Sequence, residues 1–324
     1  MANIKVLNKN NLNNEQLQKI VVAFVLLGMC TLFSIASPWF LTVDNIMTIA
    51  MQASITTICA FGMTFDIIAG AIDLSLGSTV ALSGCIVTLV LKAGYPLWLA
   101  LLAGLALGCL VGFTNGIIVA RGKIPPFITT LAAQMYLRGL AMVITDAKSI
   151  FVNNTPAFKA IAQTYLFDFM PMPIIYMIAV ALVASFILRK LVIGRHIYAV
   201  GSNEESARLS GVNIVKVRVF AYMVSATMAS IAGIIFASRV NSGQPTIGVG
   251  YEGSAVAAAV IGGASMSGGH GSISGTVLGA FVMGVLMNGL NLLNVSQNWQ
   301  QVATGVVLVF AVYLDRVRNM KNRK

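Results

Sequence analysis

The sequence alternates long apolar runs with short polar joints. The runs fall at residues 20–36, 46–69, 74–91, 97–120, 124–145, 172–188, 219–238, 254–267, 273–293 and 299–314. A helix needs about 20 mostly apolar residues, at 1.5 Å each, to cross a hydrocarbon layer roughly 30 Å thick. The pattern therefore predicts an all-α polytopic membrane protein with about ten transmembrane helices. The eighth run is short and interrupted by Gly262-Gly263 and Gly268-Gly269. It predicts a broken helix, which a bilayer tolerates only where neighbouring protein or a water-filled cavity satisfies the freed backbone groups.

Composition supports this reading: 57% of the 324 residues are hydrophobic and 10% charged, and the mean hydropathy is +0.85. A soluble core cannot hide that much apolar surface. The net charge of +11 then reports topology. With a cytoplasmic N-terminus, residues 1–19, 121–123, 189–218 and 316–324 lie inside and hold 16 of the 21 Lys and Arg residues. Outside fall Lys92, Lys148, Lys159 and Arg239, while Arg138 lies within the fifth run. Both termini are expected in the cytoplasm. The division is a cytoplasmic segment 1–19, a permease domain 20–315 with a cytoplasmic loop 194–218, and a basic tail 316–324. That tail is read as positive charge beside a last span, so no nucleic-acid partner is expected, and the first run is read as an uncleaved anchor.

Candidate chemistry is sparse. Cys30, Cys59, Cys85 and Cys109 all sit in apolar runs without metal-ligand spacing, and His196 and His270 are far apart, so neither a metal site nor a catalytic centre is expected. Inside the apolar runs the ionisable residues are Asp66 and Arg138, with Asp73 and Glu252 at run edges. Such groups are costly in a bilayer. Asp66, Asp73, Asn115, Arg138 and Asn288 are the candidates for a translocation path, with Arg138 able to pair with Asp66 or to snorkel. So few ions argue against an ion-coupled secondary transporter of a small polar solute, which is the alternative class.

Glycines show how helices pack. Gly104, Gly108, Gly112 and Gly116 recur every four residues and leave one face of the fourth run nearly bare, so two backbones can meet there. Gly275 and Gly279 begin a shorter stripe, and Asn288-Gly289 echoes Asn115-Gly116. Residues 46–145 and 219–315 each hold four runs that start from opposite faces, an arrangement that points to an inverted repeat.

The polar segment 194–213 is the longest inner loop. Asn203 reads as an N-cap with Glu204 and Glu205 in the first turn, and Gly211 as a C-cap, which predicts a helix of about two turns on the cytoplasmic surface. This segment, together with Gly70-Ala71-Ile72-Asp73-Leu74-Ser75-Leu76-Gly77-Ser78, resembles the ribose/xylose/arabinose-type permease family of ABC transporters. Further blocks agree in order: Asn115-Gly116, then Lys123-Ile124-Pro125-Pro126-Phe127-Ile128-Thr129-Thr130-Leu131, then Arg138-Gly139, then Ile261-Gly262-Gly263-Ala264-Ser265 and Gly268-Gly269-His270-Gly271. The resemblance covers residues 40–315.

The resemblance implies a permease subunit that moves a monosaccharide inward across a bacterial inner membrane. Its partners would be a cytoplasmic ABC ATPase, an extracytoplasmic sugar-binding protein and a second permease copy or paralogue. ATP and magnesium would be bound by the ATPase and no cofactor by this chain, in keeping with the absence of a Gly-x-x-x-x-Gly-Lys-Ser/Thr phosphate loop. It also makes 203–211 the coupling helix, with Asn203, Glu204, Glu205, Ala207, Arg208 and Gly211 at the ATPase contact and the small Ala207 allowing close seating. Segment 146–171 is the candidate surface for the binding protein. Two positions depart from the family pattern: Asp66, where an aliphatic residue is usual, and Tyr251-Glu252-Gly253-Ser254, where Leu-Asp more often follows the Tyr-Glu pair.

Overall fold

The computed structural model describes residues 3–322 apart from 154 and 168, with side chains from 16 to 317. The Lys5, Lys9, Arg318, Lys321, Arg323 and Lys324 side chains, which carry much of the expected terminal charge, fall outside the described residues.

Among the described residues the chain forms thirteen helices: α1 (Asn3–Ala36), α2 (Val43–Ile68), α3 (Leu76–Lys92), α4 (Leu97–Ala120), α5 (Pro126–Thr145), α6 (Pro156–Gln163), α7 (Met172–Lys190), α8 (Val192–Ser202), α9 (Glu204–Leu209), α10 (Ile214–Val240), α11 (Tyr251–Ile261), α12 (Ile273–Leu292) and α13 (Gln297–Asn322). Eight are long and apolar enough to span a membrane; α3 and α11 are apolar but shorter. Together these ten match the ten predicted runs. The protein is thus an all-α, multi-pass membrane protein. The eighth run is helical only over its first part, in α11, and its glycine-rich remainder is loop.

Four two-residue strands complete the fold. β1 (Ile150–Phe151) pairs antiparallel with β4 (Ser242–Gly243), and β2 (Tyr165–Leu166) with β3 (Met170–Pro171). Trp39, Tyr95, Trp98 and Trp299 sit at the α1–α2, α3–α4 and α12–α13 joints and are exposed. They therefore share one face, as an interfacial aromatic belt does. The opposite face carries Arg121, Lys123 and the segment from α8 to α9.

The packing is that of two related units. α2 lies against α10; α10 also packs on α3 and α4, and α2 on α11 and α12; α3 packs on α4 and α5 as α11 does on α12 and α13. Exchanging α2–α5 with α10–α13 therefore leaves the set of contacts unchanged. The units are inverted: α2 ends on the basic face, where a β-carbon at Gly201 of α8 would overlap the Ile68 carbonyl, whereas α10 ends on the other face, where Asn241 Nδ2 donates to Val152 O at 2.6 Å.

The most extensive seam lies between α4 and α10. β-carbons added along the α4 glycine stripe would stand 3.2 Å from Ile234 Cδ1 at Gly104, 2.6 Å from Ala226 O at Gly108, 2.5 Å from Met223 Cα at Gly112 and 2.6 Å from Val219 Cα at Gly116. On α12, Gly275 and Gly279 similarly face the backbone of α11 at Gly262 and Ala258.

One element differs from expectation. Residues 192–202 form helix α8, and the chain turns sharply after Lys190. The spacing of Ile193, Ile197 and Val200 gives α8 an apolar face, with Ile197 and Val200 fully or nearly buried, and that burial outweighs the polar composition of the segment.

Candidate functional site

At 1.5 Å per residue, α3 and α11 are roughly 26 Å and 17 Å long for their 17 and 11 residues, short of a bilayer core. Each is preceded by non-helical chain, 69–75 before α3 and 241–250 before α11. These unwound segments enter from opposite faces, and the two half-helices begin where they meet. At that meeting a β-carbon on Gly77 would overlap the Gly248 carbonyl and stand 2.5 Å from Glu252 Oε2, and Gly248 itself has φ of 76°. Only glycine fits a left-handed backbone pressed against another backbone.

Unwound chain inside a membrane needs partners for its backbone, and α5 supplies several. Thr130, Gln134 and Arg138 stand four residues apart on one face. Thr130 Oγ1 donates to Ile72 O at 3.2 Å, Gln134 Nε2 to Glu252 Oε1 at 3.2 Å, and Arg138 Nη1 to both Pro245 O and Ile247 O at 2.6 Å. One helix thus holds both unwound segments. Glu252 Oε1 also accepts from Gly250 N at 3.3 Å, placing a carboxylate at the first turn of α11, where the helix dipole favours it.

The first segment is anchored from inside. Asp73 Oδ1 accepts from Ser75 N at 2.8 Å and Ser75 Oγ at 2.5 Å, and Asn115 Nδ2 of α4 donates to Ser75 Oγ at 3.1 Å. Of the residues singled out in the sequence, Asp73, Asn115 and Arg138 therefore serve the two unwound segments, and Asp66 lies buried at the α2–α10 contact near Asp73. Arg138 binds backbone carbonyls and not Asp66. Asn288 lies elsewhere: it exchanges hydrogen bonds of 2.8 and 3.0 Å with Asn45 near the start of α2, tying α12 to α2. Thr130 and Gln134 were not singled out in the sequence; their four-residue spacing with Arg138 on an apolar helix was the available signal.

On the basic face, Asn203 Oδ1 caps α9 by accepting from Ser206 N at 2.8 Å, and Gly211, at φ of 82°, ends the turn. Glu205 and Arg208 form an exposed ion pair at 2.7 Å, which raises the Arg208 pKa further; Glu204 pairs with Arg218 at 2.5 Å. Ala207 is 4% exposed and packs into the permease's own core. The outward apolar residue is Leu209, 81% exposed.

On the other face, α6 packs on α10 and α7, and Ser238 Oγ donates to Phe158 O at 2.6 Å while accepting from Ala162 N. The β2–β3 hairpin beyond it exposes Tyr165, Phe167 and Phe169. A groove of about 320 Å³ between α4, α6, α7 and α10 is lined by residues such as Leu101, Leu105, Ile161 and Ile234. Its almost wholly apolar walls do not suit a polyhydroxylated solute.

Residues 45–312 match the family model described as branched-chain amino acid transport system / permease component. The chain belongs to that family. It is 41% identical to the ribose import permease protein RbsC of Haemophilus influenzae over 97% of this chain and 99% of the relative. It is 39% identical to the protein of the same name from Bacillus subtilis over 94% of each chain. To the L-arabinose transport system permease protein AraH of Escherichia coli it is 38% identical, over 95% of this chain and 93% of the relative. No solved structure matches. A transport permease of this family is not an enzyme.

Proposed function

We propose that this permease carries a monosaccharide, a pentose or hexose, inward across a bacterial cytoplasmic membrane, energised by a separate ABC ATPase and supplied by an extracytoplasmic sugar-binding protein. The observation that carries this reading is 38–41% identity with sugar import permeases over nearly the full length of each chain. The clustering of Lys and Arg supports an orientation in which the α8–α9 face is cytoplasmic and both termini lie inside. ATP and magnesium would belong to the ATPase, and this chain would bind no cofactor.

In this reading α9 is the contact for the ATPase. Leu209 is the apolar anchor, Glu205 and Arg208 set register, and Asn203, Glu204 and Gly211 shape the helix. Movement passed through α8 reaches Ile68 and the first unwound segment, against which Gly201 is packed. The translocation path runs beside the meeting of the two segments, where Asp73, Asn115 and Arg138 hold the backbone. The exposed aromatic hairpin and α6 form the docking surface for the binding protein, and a second permease copy or paralogue completes the passage.

The test is co-purification of the permease with its ATPase in detergent. Leu209→Asp, or Glu205→Ala together with Arg208→Ala, should lose ATPase capture while the permease remains monodisperse with an unchanged melting temperature, since all three side chains are exposed. Capture unaffected by all these changes would refute α9 as the coupling element. Failure of wild type to bind any ATPase would favour the ion-coupled alternative.

A further inference from the structure

None of these contacts uses the Asp66 carboxyl. Asp66 lies on the face of α2 that carries Gly62, and this face presses on α10: a β-carbon at Gly62 would stand 2.8 Å from Ser225 Cα. Asp66 is 0% exposed and neither carboxyl oxygen has a hydrogen-bond partner. Ser225 Oγ stands beside it without reaching hydrogen-bond geometry. Asp73 Oδ2, Asn115 Oδ1 and the Tyr222 hydroxyl are likewise buried and unpartnered, and Tyr222 lies within electrostatic reach of both aspartates.

The two carboxyls differ. Asp73 accepts two hydrogen bonds from Ser75, which favour its charged form, whereas Asp66 has only the Ser225 hydroxyl beside it and a second carboxyl nearby. A buried ionised carboxylate without partners is too costly to persist, and such a group neutralises instead. Among the described residues of the surrounding elements no cation acts on Asp66. On α10, Arg218 reaches Tyr222 electrostatically but is ion-paired with Glu204 at 2.5 Å. On α11 and α5, Glu252 and Tyr136 act on Asp73. On α12, Thr276 bonds Thr64 of α2 at 2.7 Å. Helix α8 carries a partly exposed His196 and Tyr198, which donates to Gly271 O at 2.8 Å, and Arg189 and Lys190 of α7 are exposed. Among the described residues no group of three or more His, Cys, Asp or Glu side chains could hold a metal ion.

We propose that Asp66 is a proton-binding site: the Asp66–Asp73 pair holds one proton, carried on Asp66, whose carboxyl then lies uncharged in the contact between α2 and α10. The proton is taken from water, and no other bond is made or broken. Its loss places two anions together where α2 gives way to the first unwound segment, at the joint that α8 would push. Raising the pH through this titration therefore weakens the closed packing of α2 on α10. The inference rests on the geometry of this chain alone and stands whether or not the sugar assignment holds.

The test uses the full-length chain in lipid nanodiscs, in sodium-free buffer, read by infrared absorption in the carboxylic-acid C=O region and by thermal melting. Wild type should show a protonated-acid band at neutral pH that disappears in one step on alkalinisation, with a fall in melting temperature over the same range. Asp66→Asn should lack the band and lose that fall. Absence of the band in wild type, or its persistence in Asp66→Asn, would overturn the proposal. So would stabilisation by sodium but not by choline or potassium, which would mark a metal-cation site. If Asp66→Asn does not fold, Asp66→Leu serves for the band, and the wild-type titration and sodium comparison decide by themselves.

Discussion

Gly112→Leu is expected to yield no stable permease. A β-carbon there would overlap the Tyr222 carbonyl and stand 2.5 and 2.7 Å from Met223 Cα and N. These obstacles are backbone atoms of α10, so no rotamer change relieves them, and the two helices must separate. Overpacking of an ordinary core costs about 1–3 kcal/mol. Here the seam also runs past Gly104, Gly108 and Gly116, so parting it at one point loosens contact along the whole of α4, and the loss should exceed that range. Against a total stability of roughly 5–15 kcal/mol for a typical domain, the result is aggregation in detergent on size-exclusion chromatography or a collapse of the melting temperature. Gly139→Ala is the control. A β-carbon at Gly139 meets nothing within 4 Å, and that variant should purify and melt like wild type. Equal behaviour of the two variants would show that the α4–α10 seam is not where the fold is fastened.

The glycine stripe was legible because close helix contact imposes a period that survives in one sequence. So were the ten apolar helices, the shortness of the eighth, the cap at Asn203 and the turn at Gly211, all set by local chain chemistry. What escaped depended on which distant element lies opposite. Asn115 and Asn288 look alike in sequence, each followed by glycine on a repeated helix, yet one secures Ser75 at the unwound segment and the other pairs with Asn45 near the opposite end of α2. Ala207 is buried by its own chain while Leu209, two residues on, is exposed, a difference no local pattern announces. Arg138 drew notice as an ion in an apolar run, but its partners are two carbonyls more than a hundred residues away.

The inverted arrangement explains why so few charges suffice. Two half-helices point their first turns toward the centre of the molecule, and the unwound chain before each brings backbone donors and acceptors to a depth where a continuous helix would offer none. A polar solute can be accompanied by such groups without a binding pocket of its own. The seam of α4 on α10 is tight, whereas α5 holds the unwound segments by side-chain hydrogen bonds.

Arg138→Met should separate holding from folding. The substitution keeps an unbranched apolar stem but removes the donors that reach Pro245 O and Ile247 O at 2.6 Å. Hydrogen bonds to a charged donor contribute about 1.5–3 kcal/mol each, and every 1.4 kcal/mol is about tenfold in an equilibrium. Losing both frees the segment before α11 and shifts its population away from the ordered arrangement. Substrate uptake by the permease reconstituted with its ATPase and binding protein should fall at least about tenfold, while capture of the ATPase through α9 stays intact. Arg138→Lys should recover only part of the loss, because its ammonium falls one bond short of the Nη1 position from which both carbonyls are reached. Full uptake by Arg138→Met would mean that the second unwound segment keeps its shape without Arg138, held by the Gly77–Gly248 contact and the β1–β4 pairing.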